Sequence, residues 1–140
     1  DMEGVARKKN IKIDLQIPPE KEIRVMADPD KIIQVLSNFI LNAITYGEKD
    51  GMIWIRCLDL DTHYLIEVED NGIGISAKDT QRVFERFYRV EKSRNRQRGG
   101  TGLGLAIVKH IIDAHDETVS VRSSPGEGSV FSFSLIKATS

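Results

Sequence analysis

Two asparagines pose the first chemical question. Asn38 and Asn42 stand four residues apart within a helical apolar pattern, so their side chains share one helix face. Asparagine is a poor helix former because its side chain competes for backbone hydrogen bonds, and a carboxamide left unpaired beside an apolar stripe costs about 1–3 kcal/mol. The pair either bonds neighbouring loops or offers amide oxygens to a hard cation such as Mg2+, which takes neutral oxygens as well as carboxylates. A second constellation, Asp70-Asn71-Gly72-Ile73-Gly74, follows directly on a strand pattern. A carboxylate at a strand end can accept a hydrogen bond from a ligand's amino group, and the glycines permit close approaches that side chains block. The bland alternative is an Asp-Asn-Gly turn. The third is Gly99-Gly100-Thr101-Gly102-Leu103-Gly104-Leu105, which opens a helix pattern. Its backbone N–H groups and the positive end of the helix form a ready anion site. Just before it, residues 82–98 hold seven cations against two anions, suited to a polyphosphate or, more blandly, to a solvated loop.

Two familiar phosphate motifs are excluded. No G-x-x-x-x-G-K-[ST] occurs in the chain, so the glycine run is not a P-loop. Gly72-Ile73-Gly74-Ile75-Ser76-Ala77 fits the loose dinucleotide pattern G-x-G-x-x-A, but no βαβ unit surrounds it and the strand before it reads as half of an antiparallel hairpin.

These groups need elements to hold them. Ile11, Ile13, Leu15 and Ile17 alternate with polar residues, the period of a half-buried strand, and a second early strand is expected over residues 23–26. Asp28 as N-cap, Pro29 at the first helical position and Asp30 near the positive pole announce a helix. Ile32, Leu36, Phe39 and Ala43 continue it to a stop near Gly47. Residues 52–58 and 64–68 read as a hairpin, residues 77–84 as a short helix, and residues 103–115 as a second long helix. Residues 118–122 and 130–136, joined by Pro125-Gly126-Glu127-Gly128, form a closing hairpin. The mixture, without regular βαβ alternation, predicts a two-layer α/β sandwich: a mixed sheet with helices on one face.

Composition narrows the class. The chain has 140 residues, 40 % of them apolar, 11 glycines and a net charge of −1. This is room for one domain, residues 1–140, with a globular apolar share. The longest apolar runs last a few residues, too short for a membrane span, and the first residues lack the pattern of a signal peptide. Cys57 is the single cysteine, which fits a reducing compartment. The balanced charge gives no global field for nucleic acid or an anionic membrane, so neither partner is expected.

The four segments Asn38-x-x-x-Asn42, Asp70-x-Gly72-x-Gly74, Phe84-Glu85-Arg86-Phe87-Tyr88-Arg89 and Gly100-Thr101-Gly102-Leu103-Gly104-Leu105 resemble, in order and spacing, the N, G1, F and G2 boxes of the catalytic and ATP-binding domain of bacterial two-component sensor histidine kinases. The resemblance runs from about residue 10 to residue 136, and the last hairpin and glycine run are similar to phosphate-regulon-type sensors. It implies the Bergerat-type sandwich of the wider GHKL superfamily, with ATP and Mg2+ as ligands. By resemblance, Asn42 ligates Mg2+ with Asn38 beside it. Asp70 accepts the adenine amino group, Gly72 and Gly74 let the chain pass the base, and Tyr46 and Ile75 pack against the nucleotide. Phe84 and Phe87 anchor an ATP lid over residues 88–100. Arg89 and Arg98 meet the terminal phosphate, and Gly100, Thr101, Gly102, Leu103, Gly104 and Leu105 cradle the phosphates.

The resemblance also implies what the chain works with. Phosphoryl transfer needs an acceptor histidine followed by an acidic residue and soon by Thr-Pro. His63, His110 and His115 lack that setting and read as structural or surface residues. The expected partner is therefore a separate dimerisation and histidine-phosphotransfer domain, with residues 1–9 as the tail of that region and a response regulator downstream. The domain is expected to be cytoplasmic and monomeric, in a parent held in the bacterial inner membrane. Two positions depart from the family pattern: Thr45 replaces a frequent lysine, and His115-Asp116-Glu117 replaces His-Gly-Gly, so that Asp116 must serve where glycine usually does. A nucleotide-binding regulatory module without kinase activity is the rival reading. A chaperone- or gyrase-like ATPase clamp is disfavoured, because those proteins carry glutamate where this chain has Asn38.

Overall fold

The computed structural model describes residues 2–17, 22–88 and 104–138. Helix α1 spans Met2–Lys9, α2 Pro29–Thr45, α3 Ala77–Thr80 and α4 Gly104–Ala114. The strands are β1 Lys12–Gln16, β2 Met52–Asp59, β3 His63–Asp70, β4 Val119–Ser124 and β5 Gly128–Ile136. They form one sheet in the order β1-β2-β3-β5-β4, with β1 parallel to β2 and every other pair antiparallel. This is the mixed sheet expected from the sequence.

Alternation sorts the sheet into two faces. Ile53, Ile55, Val68, Phe131, Phe133 and Leu135 point to the helices and are buried with Val35, Phe39, Ala43, Val108, Ile111 and Ile112. Phe39 sits at the centre, its ring centroid 5.3 Å from that of Phe131 and 5.9 Å from that of Phe133. Its full burial contributes about 1.5–3 kcal/mol. The opposite face is polar. Glu67 accepts from Arg56 Nε at 3.1 Å and from Arg122 at 3.3 Å, and Ser120 meets Ser132 across the β4–β5 ladder at 2.8 Å.

Both long helices are terminated by identifiable local chemistry. The Asp28 carboxylate accepts from Asp30 N (3.1 Å) and Lys31 N (3.3 Å), satisfying N–H groups that a helix start leaves without partners. Helix α4 ends in a Schellman motif: Asp116 adopts φ 56, its N–H reaches Asp113 O at 3.0 Å, and Glu117 N reaches Ile112 O at 3.0 Å. Asp116 thus takes the left-handed position expected of a residue standing in for glycine.

Three sequence expectations are modified. The alternation in β1 reads as half-buried, yet the strand lies at the sheet edge and all five residues are exposed, Ile13 at 46 % and Leu15 at 65 %. The strand expected over residues 23–26 reduces to a single bridge between Val25 and Lys137. The helix expected over residues 77–84 stops after Thr80 and continues as turns.

Candidate functional site

Helix α2 carries Asn38 and Asn42 on its half-buried flank. Asn38 Nδ2 donates to Gln34 O one turn back, at 3.0 Å, which leaves its Oδ1 facing the start of α4. A methyl group at position 104 would stand 2.9 Å from that oxygen. The first asparagine and the last part of the glycine run are therefore neighbours, although 66 positions separate them in sequence. Leu105, one residue further on, packs against the core. Tyr46 caps the helix, its N–H donating to Asn42 O at 3.0 Å.

Asp70 ends β3 between Ile53 of β2 and Ser129 of β5 and is only 4 % exposed. Burial disfavours its charge and pushes its pKa up to about 6; hydrogen bonds from the Gly72 and Ser129 backbone oppose that shift, and the nearby Glu69 charge adds to it. The contact to Gly72 N is 2.9 Å from Oδ1. A carboxylate held dehydrated at a strand end is a strong acceptor for a donor arriving from a ligand.

The loop after Asp70 is stitched on two sides. Ile73 N donates to Tyr46 O at 3.2 Å, and Gly126 N donates to Ile73 O at 2.8 Å. Ile75, buried in the core, donates its N–H to Ser123 Oγ at 2.7 Å. A methyl at Gly72 would overlap the Tyr46 carbonyl oxygen, and one at Gly74, where φ is 75, would overlap Ser124 O. The glycines are required by these close approaches. By its sequence setting Gly128 is only part of the turn after Pro125. It has φ 88 and lies so close to the Asp70 carbonyl oxygen that no side chain fits, so it also fixes the carboxylate's strand. Its only sequence signal is the paired-glycine turn.

The third group follows α3. Phe84 packs edge-on against Phe131, with centroids 6.2 Å apart and planes at 86°. Phe87 instead is 63 % exposed at φ 64, with the Arg86 guanidinium 5.5 Å from its ring centroid, so only one of the two aromatics is seated in the core. Tyr88 donates its hydroxyl to the buried Asp79 carboxylate, and Arg82 lies 4.5 Å over the tyrosine ring. Arg89, Arg98, Gly100, Thr101, Gly102, Leu103 and nearly all of the 88–100 segment lie outside the described residues.

The histidines have structural surroundings. His115 Nε2 accepts from Asp28 N at 3.1 Å, which leaves Nδ1 to donate to Ile111 O at 2.8 Å. His63 Nε2 is 3.6 Å from Glu117, and His110 is exposed. Among the described residues no cluster of three or more His, Cys, Asp or Glu side chains is placed to hold a metal, and no helix is long and apolar enough to cross a membrane.

The family described as histidine kinase-, DNA gyrase B-, and HSP90-like ATPase (HATPase_c) matches residues 27–139. The chain is 40 % identical over 137 residues to the sensor-like histidine kinase SenX3 of Mycobacterium tuberculosis, covering 95 % of this chain and 33 % of that protein. It is 43 % identical over 120 residues to the sensor histidine kinase WalK of Bacillus subtilis, covering 84 % of this chain and 20 % of that protein. It thus spans a third or less of the length of these relatives. Among solved structures it resembles the mycobacterial sensor histidine kinase MprB, with a TM-score of 0.83, 26 % identity and coverage of 99 % and 92 % of the two chains. It also resembles histidine kinase ThkA in complex with the response regulator protein TrrA, with a TM-score of 0.76, 30 % identity and coverage of 98 % and 37 %. The chain therefore belongs to the histidine kinase-, DNA gyrase B- and HSP90-like ATPases, as the ATP-binding catalytic domain of a sensor histidine kinase.

Proposed function

We propose that this domain holds ATP between the Asp70 loop, the flank of α2 that carries Asn38 and Asn42, and the start of α4, and donates its γ-phosphoryl group to a histidine on a separate acceptor domain. The observation that carries this reading is the buried carboxylate of Asp70, set at a strand end beside glycines that no side chain can replace. An adenine amino group donates to that carboxylate, whereas guanine presents a carbonyl oxygen at the same position and is repelled. Tyr46 and Ile75 flank the base, and Gly72 and Gly74 let the chain pass beside it.

The same reading assigns the phosphates to the other end of the site. Asn38 Oδ1 faces Gly104 at the start of α4, where backbone N–H groups favour anions. Gly100, Thr101, Gly102, Leu103, Gly104 and Leu105 cradle the phosphates, and Arg89 and Arg98 meet the terminal one across the 88–100 lid, which begins beyond the seated Phe84. The donor set suits Mg2+: a carboxamide oxygen and phosphate oxygens are hard neutral and anionic ligands. Asn42 would hold the ion with Asn38 beside it, and the ion would supply charge neutralisation between phosphates.

In the transfer step the bond from the γ-phosphorus to the β,γ-bridging oxygen breaks and a bond to an imidazole nitrogen forms. ADP leaves, and the imidazole proton passes to a base on the acceptor domain. Catalysis by this chain's residues consists of positioning and charge stabilisation, as is usual for phosphoryl transfer. The parent would then pass the group to a response regulator, from a catalytic domain lying on the cytoplasmic side of a membrane-held sensor. Mixing the domain with its parent's acceptor helices and γ-labelled ATP tests the proposal. Label on the acceptor that is lost in acid and kept in base is expected. Nucleotide binding with an unlabelled acceptor would instead establish the regulatory alternative.

A further inference from the structure

The turn that carries the adenine side of the site is gripped from behind by α1. Lys9, the last residue of that helix, points its ammonium at the end of α2 and donates to Thr45 O at 2.8 Å, Ile44 O at 3.0 Å and Gly47 O at 3.2 Å. A lysine ammonium has three donors, and here each faces a carbonyl. Ile44 and Thr45 carry carbonyls of the last turn of α2, at the negative pole of its dipole; Ile44 O also accepts from Gly47 N at 3.2 Å, and Gly47 O lies just past the helix end. No basic residue stands in the last turn of α2 itself; the cation comes from 35 residues upstream.

Between the gripped carbonyls lies Tyr46, whose own carbonyl faces the other way. It accepts from Ile73 N at 3.2 Å and is overhung by Gly72 so closely that no Cβ fits. One four-residue turn is thus held by α1 on one side and supports the loop after Asp70 on the other.

The end of α1 is itself locked to the same region. Asn10 takes φ 54, Asn10 N reaches Arg7 O at 3.1 Å, and Ile11 N reaches Ala6 O at 3.0 Å, a second Schellman motif. Asp50 N donates to Lys9 O at 2.7 Å, and Asn10 Nδ2 donates to Asp50 Oδ1 at 2.7 Å. Lys9 therefore has a fixed base from which to hold the turn.

We infer that Lys9 is a positioning residue of the nucleotide site: its three hydrogen bonds set the 44–47 turn, and through Tyr46 O and Ile73 N they set the loop that reads adenine. The inference rests on the adenine site proposed above. It makes the seating of α1 a determinant of adenine affinity, without any contact between α1 and the ligand.

The experiment titrates adenosine and ADP by calorimetry into the unsubstituted chain, Lys9→Met, Lys9→Arg and Asp70→Asn, at a temperature where circular dichroism shows each to be folded. Lys9→Met keeps the aliphatic stem and removes the donors. It is expected to lose about fivefold in affinity for adenosine and ADP alike, since the loop meets the base and not the phosphates. Lys9→Arg, whose guanidinium still donates to several carbonyls, is expected to recover most of that loss. A residue that only stabilises the fold leaves the affinity of the folded protein unchanged. Unchanged affinity in Lys9→Met, with Asp70→Asn weakened, overturns the role of Lys9 alone. Unchanged affinity in Asp70→Asn overturns the adenine site and the role of Lys9 with it.

Discussion

Gly104 opens α4 directly against the carboxamide of Asn38: a single methyl at 104 would stand 2.9 Å from Asn38 Oδ1. The contact joins the two helices that the proposed function assigns to the phosphates. It also separates stability from binding, because the crowded atom is the end of a side chain that can turn away at little cost. Gly104→Ala is expected to unfold at or slightly above the temperature of the parent, since alanine favours a helix by up to about 1 kcal/mol over glycine. Its affinity for Mg2+-ADP is expected to fall by about tenfold, as for loss of one charge-assisted contact. Calorimetric titration and a thermal melt on the same sample check both halves.

Asp70 trades stability for recognition. Its pKa is raised from 3.8 to about 6, so the folded state binds the proton more tightly than the unfolded chain does. Stability is therefore highest at low pH with respect to this group and falls as pH rises through about 6, by on the order of 3 kcal/mol. Asp70→Asn is expected to be more stable than the parent at pH 8 and to lose that advantage towards pH 4, as urea titrations at the two pH values will read. The same change is expected to weaken adenine binding by at least about tenfold. In the parent, adenosine affinity is expected to drop as pH falls through about 6, where the carboxylate takes up its proton; adenosine carries no phosphate to titrate there.

The glycines near Asp70 are expected to grade in severity. At Gly126, φ is 80 but nothing lies within 4 Å of where a Cβ would stand, so Gly126→Ala meets backbone strain alone, about 1 kcal/mol. At Gly128, φ is 88 and the Cβ would overlap backbone of Asp70, so Gly128→Ala meets strain and overpacking together, about 3 kcal/mol or more. Urea midpoints for the two variants test the ordering; equal losses would contradict it.

Asp116→Gly is expected to stabilise the domain by about 1 kcal/mol, because φ 56 costs a β-carbon residue energy that glycine does not incur. A shifted urea midpoint with unchanged ADP affinity is the expected outcome.

What the sequence disclosed was whatever local chemistry determines. Helix α2 is legible because Asp28, Pro29 and the spacing of Ile32, Leu36, Phe39 and Ala43 lie within the segment they shape. The strand end at Asp70 is legible for the same reason, whereas the left-handed Asp116 is signalled only by the family resemblance, which places glycine there. The coverage of a strand is not local: Ile13 and Leu15 alternate as a buried strand does, yet their edge position leaves them exposed. Phe84 and Phe87 are three residues apart in one aromatic motif, and only the partner rings of the fold decide that Phe84 meets Phe131 while Phe87 faces solvent. Lys9 gave no signal at all, since a lysine near a helix end is ordinary until the chain returns 35 residues later to place three carbonyls around it.

The central claim is that one adenine nucleotide spans Asp70, Asn42 and the start of α4. Amide chemical shifts recorded as ADP and Mg2+ are added test it most directly. Perturbations concentrated at Asn38, Asn42, Gly72, Ile73, Gly104 and Leu105 are the expected result. Perturbations confined to the opposite sheet face around Arg56, Glu67 and Arg122, or none at saturating nucleotide, would contradict it.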